Sequence, residues 1–492
     1  MSQLLKKKLG FVFIILQFLL TIGLIGLILY VDMIPDKYLL LGVLGLVFIM
    51  LYTFFSQMSK RLYVVGRILS VIFCIIILIG TGYLWRGYNA IDNMSAANVK
   101  VDEISALVLS TDKAETIDDV KDYQFGIIEN VGRKYTDSML ESVKKDVGKD
   151  VAIRSYTDVD SLVNALYTQE VGVIIFNEAF RETIGDTYKD FETKTKVLGN
   201  HRVETVIEDD NKDEEAEDSS ITKPFIMYCS GIDTYGSIAK TSRSDVNIIA
   251  VVNPETSQIL LVNTPRDYYV PLSISNGVRD KLTHAGIYGV DVSMATLEML
   301  YDIDIDYYVR VNFSGLKDIV NALGGVKVYS DFDFTSDWGP SFKKGYNNVD
   351  GKQALAFCRE RHHFAAGDNQ RGKNHQHMIS AILDKATSPS ILKNFNKLMK
   401  SIEGSFETNM KTKKITSYVK YQMDEMPNWK IDSISVDGTG SKDYTYSMPR
   451  SRAYVMRPDS DSVNKARTTI KRVLNGEKIK KKNTDKSGTE SK

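Results

Sequence analysis

Three apolar runs open the chain, at about residues 10–31, 38–56 and 67–86, each long enough to cross a hydrocarbon layer as a helix. A cleaved leader would have a shorter apolar core, small residues at a cleavage site and no further runs behind it. Three retained spans are therefore expected. Lys6, Lys7 and Lys8 precede the first run, and Lys60, Arg61 and Arg67 separate the second from the third. The loop between the first two carries Asp32, Asp36 and Lys37 instead. By the positive-inside rule the N-terminus is cytoplasmic, and everything after about Arg86 lies outside the cell membrane.

Beyond the spans, short apolar runs alternate with amphipathic segments. Over residues 98–200, "ISALVLS", "DVAIRSY" and "VGVIIFN" read as strands, with "RKYTDSMLESVKKDV" and "DVDSLVNALYTQ" as helices, giving an accessory α/β unit. It carries no nucleophile beside a base, no metal-ligand spacing and no phosphate loop, so it reads as a docking or accessory module. The self-repelling run "EDDNKDEEAEDSS" marks residues 201–223 as an acidic linker.

Residues 224–474 form a second α/β unit, large enough for its own core. Its strands are "FIMYCS", "VNIIAVVN", "QILLVN", "DYYVRVN" and "VKVYS". Its helices are "VSMATLEMLY", "FSGLKDIVNALGG", "GKNHQHMISAILDKA" and "PSILKNFNKLMKSI", the second ended by Gly324-Gly325. Residues 475–492 are basic and poor in apolar side chains, a tail expected to be disordered.

Composition changes this picture little: 62 basic and 62 acidic residues cancel, but they are segregated along the chain. The topology excludes more. A soluble mass outside the cell neither meets chromosomal DNA nor uses cytosolic ATP, so no nucleic-acid partner is expected. Cys74 falls in the third span, while Cys229 and Cys358 sit in apolar stretches and read as buried free thiols. The external location leaves a disulfide between those two open.

The candidate chemistry gathers at two places. A hairpin turning at Pro254–Ser257 pairs Asn253 with Gln258 and, carried outward, sets Asp245 opposite Arg266, with Arg243 near Asp267 and Tyr268. Asp233, after another apolar strand, can reach the same end. Further on, "CRERHHFAAGDNQRGKNHQ" places Arg359 and Arg361 on one face of an extended segment, Asp368 as a helix N-cap, and Arg371 in the first helical turn. Gln376 can add an amide to this mouth. Cations at a helix start are unfavourable unless an anion joins them. Arginine is suited to bidentate phosphate recognition, so the anion is a phosphate or pyrophosphate. Any single Arg–Asp pair could equally be a structural ion pair, but five arginines exceed the nearby carboxylates. Oxygen ligands beside phosphate point to Mg²⁺ or Mn²⁺. Zinc held by His362, His363, His375 and His377 lacks the ligand spacing it needs.

The segments "SGIDTYG", "RSDVNIIAVVNPETSQILLVNTPRDYYV", "DKLTHAGIYG", "NFSGLKDIVNALGGV" and "RERHHFAAGDNQRGKNHQ" together resemble the LytR-CpsA-Psr family over most of residues 224–474. The three spans and extra module look like its CpsA branch, which serves capsule synthesis in Gram-positive bacteria. The resemblance implies an α/β/α sandwich with an apolar tunnel for a polyprenyl chain. It implies transfer of a glycan from a polyprenyl-pyrophosphate carrier to peptidoglycan, with membrane lipid and other capsule-assembly membrane proteins as partners. By motif, Asp233 and Asp245 would hold Mg²⁺, and Arg243, Arg266, Arg359, Arg361 and Arg371 would bind phosphate. Lys281 and Gln376 would lie near the head group, and His362 and His363 receive no role. In the reaction so implied a peptidoglycan hydroxyl attacks the sugar-side phosphorus, and Asp267, Asp368 or a metal-bound carboxylate is the base. Arg361 and Arg266 would carry much of the catalysis. Hydrolysis of the pyrophosphate, or sensing of lipid or wall polymer without turnover, would use the same residues.

Overall fold

The computed structural model describes residues 3–59, 61–95, 99–129, 131–206, 221–232, 238–388, 397–398, 401 and 406–479. Asp233, the whole acidic run from Glu208 to Ser220, most of "PSILKNFNKLMKSI" and the chain beyond 479 lie outside the described residues.

The apolar runs form the helices Gln3–Val31, Asp36–Met58 and Tyr63–Ser95, with candidate spans at Gly10–Val31, Asp36–Met58 and Tyr63–Asn93. Gln17 ties them together, because its Oε1 accepts from Thr53 Oγ1 at 3.1 Å and Ser70 Oγ at 2.7 Å. Such bonds hold helices where lipid offers no hydrophobic drive. The loop after the first helix meets the soluble mass: Lys420 bridges Asp32 at 2.8 Å and Asp36 at 3.0 Å, and Lys37 pairs with Asp424 at 2.8 Å. Val31, Met33, Ala90 and Ile91 share an apolar cluster with Val320, Phe357 and Met378. The unit over residues 224–474 thus rests directly on the span ends, on the side of that loop.

The accessory unit has five strands in the order Ala152–Tyr156, Gln124–Ile128, Val173–Asn177, Val99–Leu109, Thr195–Val206. Period-two alternation sends Ile104, Ala106, Phe125 and Ile127 toward helix Arg133–Val147, and Leu107, Ile128 and Phe176 toward helix Val159–Tyr167. The last strand runs to Val206, into the stretch read as linker.

The second unit is built on a six-stranded mixed sheet, ordered Phe406–Thr408, Tyr307–Asn312, Phe225–Ile232, Ser244–Asn253, Gln258–Asn263, Lys430–Ser435. Its two faces are read directly from alternation. Tyr228, Ile249, Val251, Leu260 and Val262 pack against helices Val290–Tyr301 and Ser460–Leu474. Ile248, Ala250, Ile259 and Leu261 face Ile379 and Leu383 of helix Asp368–Ala386. This is a helix–sheet–helix sandwich. "VKVYS" (Val326–Ser330) pairs instead with Gly345–Val349 in a small separate sheet. Helix Phe313–Ala322 ends where expected, with Gly324 and Gly325 at φ of 77° and 87°, a conformation open mainly to glycine. The residues 475–479, read as tail, are ordered: Gln258 and Lys430 both bond to Ile479.

Cys74, Cys229 and Cys358 are all free, so the possible disulfide does not form.

Candidate active site: a buried ion network at the strand ends

The hairpin turns at Pro254–Ser257 and pairs Asn253 with Gln258 through to Ile248 with Asn263, the register expected. On the opposite edge the pairing shifts: Gly231 faces Val246 but Ile232 faces Ser244, which leaves Asp245 as the extra residue of a bulge. A bulge re-aims a side chain. Asp245 Oδ2 here meets Arg266 Nη1 at 2.8 Å, and its Oδ1 accepts from Thr283 Oγ1 at 3.1 Å. Two glycines permit the close approach of the flanking helices. A Cβ on Gly286 would stand 2.7 Å from Ser244 N, and one on Gly372 2.3 Å from Asn263 Nδ2.

Gly372 lets helix Asp368–Ala386 bring its first turn to the strand ends. Arg371 Nη1 lies 4.0 Å from Asp245 Oδ2, and Arg371 Nη2 lies 2.5 Å from Asp368 Oδ1. Asp267 joins through Lys281 at 3.2 Å and Arg266 at 3.8 Å. Asp245, Arg266, Asp267, Lys281, Asp368 and Arg371 are thus one network, with side chains between 10% and 25% exposed.

Several buried polar atoms lack a hydrogen-bond partner: Arg266 Nε, Arg371 Nη2 and Asp368 Oδ1 within the network, Arg243 Nε, whose charge acts on Asp245, and Asn369 Oδ1, next to Asp368 in sequence. Arg371 and Asp368 are close but misaligned. Natural proteins leave few buried groups unsatisfied, because each costs about 1–3 kcal/mol. Donors and acceptors orphaned together in one mouth are suited to a ligand that carries both an anion and a cation.

Burial alone would raise the pKa of Asp245, but the charges of Arg266, Arg371 and Arg243 outweigh it and hold the carboxyl below its usual range. Asp368 shows the reverse. Burial dominates over Arg371 and Arg266, with Asp267 and Asp245 adding repulsion, so its pKa is raised. Arg266 is held more firmly protonated than usual, with Asp245 and Asp267 outweighing burial.

Other expected residues stand elsewhere. Arg243 finds its ion-pair partners outside the hairpin. It donates to Asp186 at 2.7 Å and to Glu182 at 2.5 Å, both in the accessory unit, although its charge still acts on Asp245. Asp368 is the first helical residue and Gly367 takes the N-cap position, at φ 50°. Arg359 and Arg361 do not share a face of an extended segment, because Arg359 ends helix Gly351–Arg359. Its guanidinium lies between the rings of Phe313 and Trp338, at 4.6 and 4.5 Å from their centroids. Arg361 is exposed, its Nε 3.3 Å from His362 Nε2. Gln376 is buried against the sheet, where its Nε2 donates to Leu261 O at 3.0 Å and Ile434 O at 2.6 Å, so its amide is committed to two strands. The shortage of carboxylates is also corrected. With Glu182 and Asp186 counted, Arg243, Arg266, Arg371 and Lys281 face five carboxylates.

The histidines divide by partner. Nε2 of half-buried His375 meets Cys358 O at 2.9 Å, and desolvation, followed by the Arg371 charge, pushes its pKa down to about 3. His377 meets Asp331 at 3.3 Å. Asp337, Glu360 and His363 offer ligand atoms within 4.8 Å of one another. Glu360, however, already accepts backbone N–H bonds from Asp337, Arg361, His362 and His363 at 2.8 to 3.2 Å.

Sequence reasoning missed Thr283, Asn369, Glu182 and Asp186. Thr283 lies within "DKLTHAGIYG" and Asn369 beside Asp368, so proximity to motif residues could have found them. Two described cavities, about 370 and 750 Å³, lie away from this network, the first beside Arg450 and the second beside Tyr421.

The LytR-CpsA-Psr (LytR_cpsA_psr) family model matches residues 191–471. A Bacillus cereus (strain AH820) protein named polyisoprenyl-teichoic acid–peptidoglycan teichoic acid transferase TagU is 34% identical over 235 residues, covering 48% of this chain and 76% of the relative. A Bacillus anthracis protein of the same name is 32% identical over 266 residues, covering 53% and 84%. Among solved structures, Bacillus subtilis TagV is 30% identical over 52% of this chain and 98% of its own, with a TM-score of 0.43. Streptococcus agalactiae gbs0355 is 25% identical over 54% and 93%, with a TM-score of 0.46. Matched by that model over more than half its length, the chain belongs to the LytR-CpsA-Psr family.

Proposed function

We propose that the protein is a membrane-anchored phosphotransferase that moves a glycopolymer from a polyprenyl-pyrophosphate carrier onto peptidoglycan. The relatives' activity, polyisoprenyl-linked teichoic acid to peptidoglycan, supports the reaction class. The observation that carries the reading on this chain is the set of buried guanidinium N–H groups left without partners at one mouth, on Arg243, Arg266 and Arg371. A diphosphate offers the acceptors they lack. The three spans and CpsA-like arrangement favour a capsular polysaccharide or similar polymer, and the basic flanks favour an external soluble mass. The family's lipid tunnel and the head-group roles of Lys281, Arg359 and Arg361 remain part of the proposal.

Arg266 and Arg371 bind and orient the diphosphate so that the sugar-side phosphorus faces the acceptor. A peptidoglycan hydroxyl forms the new P–O bond as the bond to polyprenyl phosphate breaks. Positioning and charge stabilisation carry most of such a reaction. Asp368, with its raised pKa and an oxygen that has an ion-pair neighbour but no aligned hydrogen bond, takes the proton from the attacking hydroxyl. Asp267, paired with Lys281, holds the network in place. Hard oxygen donors fit Mg²⁺ or Mn²⁺: Asp245 with Asp233 would hold it, and Asp368, in the same ion network as Asp245, would add a further oxygen. The ion, when bound, neutralises diphosphate charge.

Full-length protein in nanodiscs, given lipid-linked glycan, peptidoglycan and Mg²⁺, should form a phosphodiester-linked product. Release of glycan phosphate regardless of acceptor would show a hydrolase, and binding without turnover under every acceptor condition a sensor.

A further inference from the structure

Of the accessory unit's strands the family match takes in only the last; helix Arg181–Thr187 and the other accessory strands lie ahead of residues 191–471. Its placement is nevertheless tight. Val101 N donates to Ala239 O and Thr241 N to Val101 O, both at 3.0 Å, which joins the accessory sheet to the segment leading into Arg243. Ile287 and Met448 of the sandwich are buried in the accessory core, and Phe180 meets Tyr288 edge to face at 5.8 Å. Asp160 accepts from Arg450 N and Ser451 Oγ, each at 3.0 Å. These contacts hold the helix at the mouth.

There the helix presents Glu182 and Asp186, one turn apart, and each takes one terminal nitrogen of Arg243. Each terminal nitrogen is thus paired with a carboxylate, and Nε is the nitrogen left without a hydrogen bond. Asp186 also acts electrostatically on Arg266. With these two carboxylates the ligand-free mouth holds one more negative than positive charge; without them it would hold one more positive.

We propose that Glu182 and Asp186 form a clamp on Arg243 that competes with the anionic head group of the lipid donor and so sets the affinity of the mouth for diphosphate. The clamp rests on the reading of Arg243 as a phosphate ligand. A diphosphate can meet Arg243 through the open Nε, but bidentate engagement of its terminal nitrogens competes with both carboxylates, and their charge opposes its approach at a range where water screens incompletely. The accessory unit is therefore a working part of the mouth: it keeps the mouth selective for donors whose binding, with a divalent cation, outweighs the clamp.

The test uses full-length protein in nanodiscs and geranyl diphosphate as the probe, titrated with and without Mg²⁺. Glu182 and Asp186 side chains are about half exposed, so amides in their place are accommodated. The E182Q/D186N protein should bind the probe on the order of tenfold more tightly and depend less on Mg²⁺. D186N alone should shift affinity in the same direction by less, and it carries the test if the double variant is not recovered. Arg243→Ala should weaken binding. Unchanged or weaker binding by the amide variants, with Arg243→Ala still weakening it, overturns the clamp and leaves the proposed function standing. Binding by Arg243→Ala as tight as wild type overturns both the clamp and the phosphate role of Arg243.

Discussion

Glu360 and Asp368 stand eight residues apart, at the two ends of the segment joining two helices; one is fully and the other largely withdrawn from water, and each lies beside an arginine. Their surroundings are opposite. Burial would raise the pKa of Glu360, but the backbone N–H of Asp337, with His363 and His362, outweighs it and brings the carboxyl down to about 2. Asp368 has no such donors aligned on Oδ1, and burial wins, raising its pKa. The first cluster is closed, since every oxygen is used in folding a loop. The second is open, since its atoms wait for partners. Charge density alone would not separate them; hydrogen-bond satisfaction does.

The comparison breaks most visibly if the open cluster can be dismantled without loss of function. Arg371→Ala should lower turnover of the lipid-linked donor by roughly 10²–10³-fold, as loss of a preorganised donor does. Its melting temperature should move by only a few degrees, because the Arg371–Asp368 contact is misaligned. Unimpaired turnover would show that the open cluster is structural after all. Next in size, Asp368→Asn should cost about 10²-fold in rate. A rate profile whose acidic limb lies above the ordinary carboxylate range should lose that limb in the variant. A profile unchanged in shape would remove Asp368 as the base.

At the closed cluster the effect should fall on stability. Glu360→Gln should destabilise the protein by about 2 kcal/mol, read by denaturant unfolding, while folded molecules keep most of their activity. The sign with pH follows from the depressed pKa. The stabilisation is fully present above about 4.5, the ordinary value, and is lost as pH falls toward 2. The variant should show no such acid-dependent loss from this group. Smallest of all is Cys358. Burial pushes its thiol up to about 12, so alkylation of the native protein near pH 8 should leave it unmodified and activity unchanged. Rapid labelling would mean the helix it sits on opens readily.

Elements governed by near neighbours were legible in the residues. The spans follow from apolar length, the two faces of the main sheet from alternation, and the helix stop at Gly324-Gly325 from backbone freedom. The Asp245–Arg266 pair came from counting along one hairpin, where a four-residue turn sets the register. Contacts between distant segments were not legible. Arg243 meets Glu182 and Asp186 because two separately folded sheets dock at Val101 and Lys240. Gln376 lies between Leu261 and Ile434 because helix Asp368–Ala386 crosses two strands. Arg359 and Arg361 part company because a helix ends between them. Patterning along a chain records which face of an element is apolar. Which charged partner a side chain finds depends on how finished elements pack, and that information exists only once the chain has folded.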